Sequence, residues 1–333
     1  QGIKSIEGAV IGDASIFDDW QVPSTWVYED MGNYYGAGAS GLTIHENMYK
    51  VYFNSGKQGS QTKMLKTDPE MSDITFINEI KAGSNNSGDD AYIFGSPYTY
   101  IRYMTGTISG NRSSFAVKGA IPDPSLFAAQ YLKSALEKAG IKCTQKASSM
   151  RLLTIEKQVS KQKRVNFDTL YSKTLDKIVE KTNFKSKNLY AELLLKILGY
   201  EQLGKGTSEA GQKVIREFWE KQGLDMNGFF IEDGSGLSRY TSITGEQLGL
   251  ILKFMAKQKN YESLDHSLAI AGVAGTRKRC GKGTSSQNNM RAKSGYLSRV
   301  KSYAGSVKSK SGNNLAFTML VNHYAGSNGA MNK

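Results

Sequence analysis

Two short stretches carry the residue types that an acyl-transferring site needs. TNFKSKNLYAELL (182–194) places Ser186 and Asn188 two residues apart, just ahead of an apolar helical run. RAKSGYL (291–297) places Lys293, Ser294 and Gly295 at the head of an apolar–polar alternation that runs on to residue 305 as one strand. A serine that transfers an acyl group needs a neighbouring amine or hydroxyl to move its proton. A cation is needed to hold a terminal carboxylate, and a glycine lets an edge strand approach a substrate backbone closely enough to pair with it. Each stretch alone has a plainer reading: Ser186 as a helix N-cap, Lys293 as a solvated lysine on a strand edge.

Other chemistries have less support. Gly199-Tyr-Glu-Gln-Leu-Gly204-Lys205 has the GxxxxGK spacing of a phosphate loop, but Gly206 stands where Ser or Thr is required and the segment follows a helix. The two cysteines, Cys143 and Cys280, form no Cys-x-x-Cys pair and are expected in different domains as free thiols; His45, His266 and His323 are isolated. No metal site and no cofactor are expected. The net charge of +13 raises nucleic acid, anionic lipid or an acidic polymer as partners, yet the lysine clusters at 157–164 and 276–282 lack interleaved aromatics. Nucleic-acid binding is therefore disfavoured; it would show as a steep salt dependence. No run approaches the roughly 20 apolar residues of a membrane span, so no integral membrane segment is expected.

The elements that must position these residues fall in two regions. A length of 333 residues implies more than one core. Residues 42–53, 73–80 and 98–108 alternate with period two between Gly/Ser/Asn breaks, which predicts short antiparallel strands. Asp123, Pro124 and Gly140 bracket a helix as cap, first position and stop, with Leu126, Phe127, Tyr131, Leu132 and Leu136 on its apolar face. From about 162 to 258 the pattern is helical, including a capping box at Thr244–Gln247. A hairpin follows, turning at 310–313, whose second strand (315–322) is apolar enough for a covered sheet. The fold class is α+β.

Taken together, the Ser-x-Asn and Lys-Ser-Gly stretches are two of the three elements of penicillin-interacting serine enzymes. The chain resembles the D-alanyl-D-alanine carboxypeptidase/endopeptidases of the class C low-molecular-mass penicillin-binding type. The likeness runs in order through IEGAVIGDASIFDD (6–19), NYYGAGASGLTIHEN (33–47), AIPDPSLFAAQYLKSALEKAGI (120–141), KSKNLYAELLLKILG (185–199), FFIEDGSGLSRYTSIT (229–244), LAIAGVAGTRKR (268–279) and LAFTMLVN (315–322). The resemblance implies a transpeptidase/β-lactamase-like domain, helices on an antiparallel sheet, split by β-rich insertions. Residues 1–155 would be inserted domains ending in a helix, and 156–333 the remainder of the catalytic domain.

The resemblance also implies roles. Ser186, Asn188 and Lys293 would be catalytic, with Ser294, Gly295 and Tyr296 lining the substrate strand; no cofactor is implied. The partners would be peptidoglycan stem peptides ending in D-Ala-D-Ala and β-lactam antibiotics, in the periplasm or cell envelope. The family's Ser-x-x-Lys nucleophile motif is expected upstream of Gln1, and the first residues of the chain do not resemble a signal peptide. Its absence is expected to leave an apolar groove between helices and sheet. Three Ser-x-x-Lys strings, beginning at Ser60, Ser160 and Ser298, do not open apolar helices and are rejected as nucleophiles. Two departures stand out: Tyr296 replaces a Ser or Thr that often contacts the substrate carboxylate, and Lys187 replaces a commonly acidic residue. The rival reading is a non-catalytic wall-binding homologue that naturally lacks the nucleophile.

Overall fold

Tyr49, Val51 and Phe53, alternate residues of the strand Met48–Ser55, are at most 1% exposed, as a half-buried strand requires. The computed structural model describes residues 2–159 and 163–326. Compactness divides the chain into one unit of Gln1–Lys163 with Leu195–Gly211, and another of Arg164–Leu194 with Gln212–Lys333. This division is not the single cut at 155/156 drawn from the sequence.

In the first unit, Met48–Ser55 is the middle strand of an antiparallel sheet between Lys63–Asp68 and Arg112–Ala120. A second sheet is built on Ile101–Ile108. Its strands are not all antiparallel, as had been expected. Thr75–Asn78 and Lys81–Ala82 run parallel to it in one constant register, Thr75 opposite Ile101 and Ala82 opposite Ile108, so they act as one interrupted strand. A parallel partner needs a long crossover; here the intervening chain contains Asp89–Phe94, which pairs antiparallel with Ile101–Ile108. Val51, Phe53, Ile80, Ile93, Met104, Ile108 and Val117 fill the core of this unit.

The predicted helix spans Pro124–Lys138. The Asp123 carboxylate accepts from the Leu126 N–H, and Gly140 has φ +83°. Its apolar face is narrower than the sequence suggested: Phe127, Ala128 and Ala129 are buried, but Tyr131 and Leu132 are exposed. Segment 195–211 is tied into this unit by Lys196, whose buried ammonium donates to Asp18 Oδ1 and Trp20 O, both at 2.6 Å. At Gly206 a Cβ would stand 2.1 Å from the Ile16 carbonyl oxygen, so only glycine fits.

The second unit holds a four-stranded antiparallel sheet in the order Ala269–Ile270, Met290–Leu297, Val300–Lys308, Asn314–Asn322. Leu175–Lys185, Gly245–Met255 and Tyr261–Ser267 are helices of this unit, and Asn188–Leu203 and Ser208–Lys221 are helices cut by the unit boundary. The capping box forms as expected, Thr244 and Gln247 each accepting from the other's backbone N–H. Residues 163–174 carry no regular element, so the helical region begins later than predicted. A cleft lined by Leu252, Ala256, Leu264, Leu268, Leu315 and Ala316 lies between helices and sheet.

Two expectations about the sheet need correction. Residues 291–305 are not one strand but two, with Leu297 paired to Val300 across a turn at Ser298-Arg299. Asn314–Asn322 is not covered on both sides: among the described residues it pairs only with Val300–Lys308, and Leu315 and Met319 are 50% and 41% exposed.

Candidate active site

Ser186 and Lys293, 107 residues apart in sequence, meet: Lys293 Nζ donates to Ser186 Oγ at 2.8 Å and to Ser294 O at 2.6 Å. The fold brings them together where a helix ends beside a strand. Ser186 terminates the helix Leu175–Lys185 in the left-handed conformation (φ 53°, ψ 58°), its N–H bonded to Thr182 O. It is a helix C-cap, not the N-cap of the plainer reading. Asn188, two residues on, opens the next helix. The end of the first helix is held by Asn183, whose Nδ2 donates to Ser267 Oγ at 2.8 Å.

Lys293 sits where its strand loses a neighbour. The strand Met290–Leu297 pairs along its whole length with Val300–Lys308, but on its other side Ala269–Ile270 reaches only Ala292 and Arg291. From Lys293 to Leu297 that second edge has no strand partner among the described residues. An open edge of this kind can accept an extended peptide as an added strand. Gly295 stands opposite Ser302, and a Cβ there would come within 2.4 Å of the Ser302 hydroxyl. Tyr296 is 58% exposed.

The site is electrically unusual. Burial, and then the charge of Arg277, push the Lys293 ammonium down to about 8. A lysine in that range exchanges protons near neutral pH. Its partner Ser186 Oγ, by accepting from Nζ, leaves its own hydroxyl proton free for another acceptor. The arrangement suits relay of a proton between an amine, a hydroxyl and a bound substrate. Among the described residues no group of three or more His, Cys, Asp or Glu is placed to hold a metal ion.

The three Ser-x-x-Lys strings do not compete with this pair. Ser60 lies in a turn, its Oγ donating to Lys57 O, and Lys63 opens a strand. Ser298 is in the tight turn between strands, with Arg299 at φ 62°. Ser160 lies outside the described residues. Cys143 and Cys280 are free.

The sequence reading missed three residues. Glu192, one turn after Asn188, is 1% exposed; Oε2 accepts from Gly234 N–H at 3.1 Å and Oε1 from Ser235 N–H at 2.8 Å. Asp233, 3% exposed, accepts from the N–H groups of Gly236 and Ser238. Glu192 thus ties loop 233–238 to the helix that Asn188 opens, and Asp233 braces the loop from within. Burial first, and the Asp233 charge second, raise the Glu192 carboxyl to about 7. A lone Glu inside an apolar helical run was the available signal. Arg277, which acts on Lys293 from a separate turn, had none.

An open strand edge carrying a lysine that bonds the serine of a Ser-x-Asn stretch is the geometry expected of a serine-type acyl-transfer site. The chain belongs to the D-Ala-D-Ala carboxypeptidase 3 (S13) family, whose profile matches residues 1–333. It is 23% identical over 329 residues to the D-alanyl-D-alanine carboxypeptidase DacB of Haemophilus influenzae, covering 98% of this chain and 67% of that protein. It is 25% identical over 346 residues to the D-alanyl-D-alanine carboxypeptidase of Actinomadura sp. (strain R39), covering 98% of this chain and 61% of the relative. It thus spans about two thirds of the length of these relatives. The crystal structure of penicillin-binding protein 4 from H. influenzae superposes with a TM-score of 0.81 at 23% identity, covering 98% of this chain and 71% of that one. The fold expected from the sequence is therefore the observed one. No helix among the described residues is long and apolar enough to cross a membrane.

Proposed function

We propose that the complete protein is a D-alanyl-D-alanine carboxypeptidase/endopeptidase of the cell envelope. It cleaves peptidoglycan stem peptides through an acyl-enzyme and is acylated by β-lactams. The observation that carries this reading is the 2.8 Å bond from Lys293 Nζ to Ser186 Oγ, which joins the two motif stretches at an open strand edge. The full activity of the relatives belongs to longer chains, and none of the three Ser-x-x-Lys strings of this chain is proposed as the nucleophile. A crystal structure of the H. influenzae neighbour in complex with a β-lactam, matching this chain with a TM-score of 0.70, makes the same ligand class a natural choice.

In this reaction the substrate lies along the open edge beside Gly295, its scissile carbonyl facing the nucleophilic serine. The serine oxygen bonds to the carbonyl carbon as its proton leaves toward the lysine of its own motif. As the C–N bond breaks, the D-alanine nitrogen takes a proton from Ser186 Oγ, which is replenished from Lys293 Nζ, and Lys293 is recharged by the proton that the nucleophilic serine gave up. Asn188 hydrogen-bonds the substrate amide, and the Lys293 ammonium faces the terminal carboxylate. Water then attacks the ester, returning the proton to the serine. No cofactor enters any step.

The protein expressed from its complete coding sequence is expected to release D-alanine from an N-acylated peptide ending in D-Ala-D-Ala, measured by coupled oxidation of the D-alanine. Peptide binding without D-alanine release would instead favour a wall-binding homologue.

A further inference from the structure

Tyr131 belongs to the apolar side that the sequence assigns to the helix Pro124–Lys138, yet it is 46% exposed. Its ring packs on Phe127, with centroids 5.7 Å apart, and meets His45 nearly at right angles at 4.9 Å. His45 is delivered by a turn in which three successive residues, His45, Glu46 and Asn47, have φ of 53°, 53° and 50°. Such a conformation is uncommon outside glycine. It is anchored by the fully buried Asn47, whose Nδ2 donates to Gly38 O at 2.8 Å. Buried contacts therefore fix the position of an exposed aromatic pair.

The two rings border a groove of about 430 Å³ in the first unit. Small ligands are held in pockets of roughly 300–1,000 Å³. Ile74, Ile121 and Phe127, all buried, give the groove an apolar base. Polar groups converge on it. Gln130 Nε2 donates to Asp73 Oδ2 at 2.6 Å, which leaves Gln130 Oε1 and Asp73 Oδ1 as neighbouring acceptors with no partner among the described residues. The Tyr100 hydroxyl has none there either. Burial above all, and then the charge of Asp123, push that hydroxyl up to about 12, so it stays a donor. Charge is largely balanced: Asp68 lies 3.8 Å from Lys50 and Asp123 2.9 Å from Arg151, while Glu70 and Asp73 share the groove with Lys138.

A pyranose ring matches this lining. One side of a sugar is a layer of C–H groups that stacks on an aromatic face. Its hydroxyls both donate and accept, so they suit paired acceptors beside a phenol donor. A carboxylate would instead meet Glu70 and Asp73, and an apolar ligand would leave the polar groups stripped of water and unpaired.

We propose that the groove bordered by His45, Tyr131 and Gln130 binds the glycan strand of the cell-wall polymer, a chain of N-acetylhexosamine units, through residues of the first unit only. The choice of polymer rests on the proposed function; the sugar-binding chemistry rests on the groove.

Calorimetric titration of the complete protein with tetra-N-acetylchitotetraose is expected to give a dissociation constant of about 1 mM or tighter. Tyr131→Ala should weaken binding by about tenfold, whereas Tyr131→Phe, which keeps the ring, should not. Circular dichroism shows whether Y131A is folded. If it is not, Gln130→Ala, which removes only an exposed bond to Asp73, carries the comparison, with an expected loss of several-fold. No binding by the wild type up to about 10 mM sugar, or undiminished binding by the deciding variant, overturns the proposal. A lysine-bearing stem peptide that binds more tightly than the sugar and is weakened by Y131A also overturns it, in favour of a cationic ligand. D-Alanine release without sugar binding removes the groove assignment and leaves the proposed function standing; sugar binding without D-alanine release does the reverse.

Discussion

Replacing Lys293 by alanine is expected to lower the rate of peptide cleavage by about 10²–10⁴-fold, the usual contribution of a positioned proton-transfer group. The charged form of Lys293 donates to Ser186 Oγ and, in the proposed reaction, faces the substrate carboxylate. Burial and Arg277 bring the loss of that charge down to about 8. The pH–rate profile of the wild type should therefore fall on its alkaline side with a midpoint near 8. The sign follows from the protonated form being the active one: activity is present below the midpoint and lost above it. A guanidinium keeps its proton throughout this range, so Lys293→Arg, although slower, should show no alkaline limb near 8. Steady-state kinetics of both variants from pH 6 to 10 would decide it, and a limb that persists unchanged in K293R assigns the titration to another group.

The second large effect is on stability. Glu192→Ala strips the acceptor from two buried backbone N–H groups, those of Gly234 and Ser235. Orphaned donors and the cavity together should cost about 2–5 kcal/mol. The same residue makes stability depend on pH. Its carboxyl is raised from 4.5 to about 7 by burial and by Asp233, so between those values the folded chain holds a proton that the unfolded chain has released. The contribution is fully present below about 4.5 and is lost as the pH rises toward 7, amounting to about 3 kcal/mol. Glutamine imitates the protonated acid and does not titrate. Urea unfolding from pH 4.5 to 8 should show wild-type stability declining relative to Glu192→Gln as pH increases. Parallel curves for the two proteins would remove Glu192 as the source.

What was legible in the sequence follows from how local each signal was. Asp123, Pro124 and Gly140 announced their helix because capping chemistry sits within one turn of the residues it serves. The Thr244–Gln247 capping box was readable for the same reason. The Ser298-Arg299 turn was not, since a two-residue hairpin turn normally advertises itself with Gly or Asn at positive φ, and here Arg299 takes that conformation. The parallel pairing of Thr75–Asn78 was hidden because its partner lies 26 residues on in register, beyond any period-two pattern.

The site shows the same division. Ser186, Asn188, Lys293 and Gly295 could be singled out because their types and spacing match an acyl-transfer chemistry and a family pattern. What spacing could not supply is why Lys293 is electrically poised. That depends first on burial, which only the packed structure defines, and then on the charge of Arg277 on another loop. Glu192 and Asp233 lie 41 residues apart and become one carboxylate pair only when loop 233–238 folds onto the helix.

Intact-mass analysis of the protein made from its complete coding sequence, after exposure to benzylpenicillin, bears most directly on the assignment of a penicillin-acylated serine site. The account predicts a single covalent adduct, mapped by peptide sequencing to the serine of a Ser-x-x-Lys segment other than those at Ser60, Ser160 and Ser298, and slowed by Lys293→Ala. Absence of any adduct, or an adduct on Ser60, Ser160 or Ser298, would contradict it.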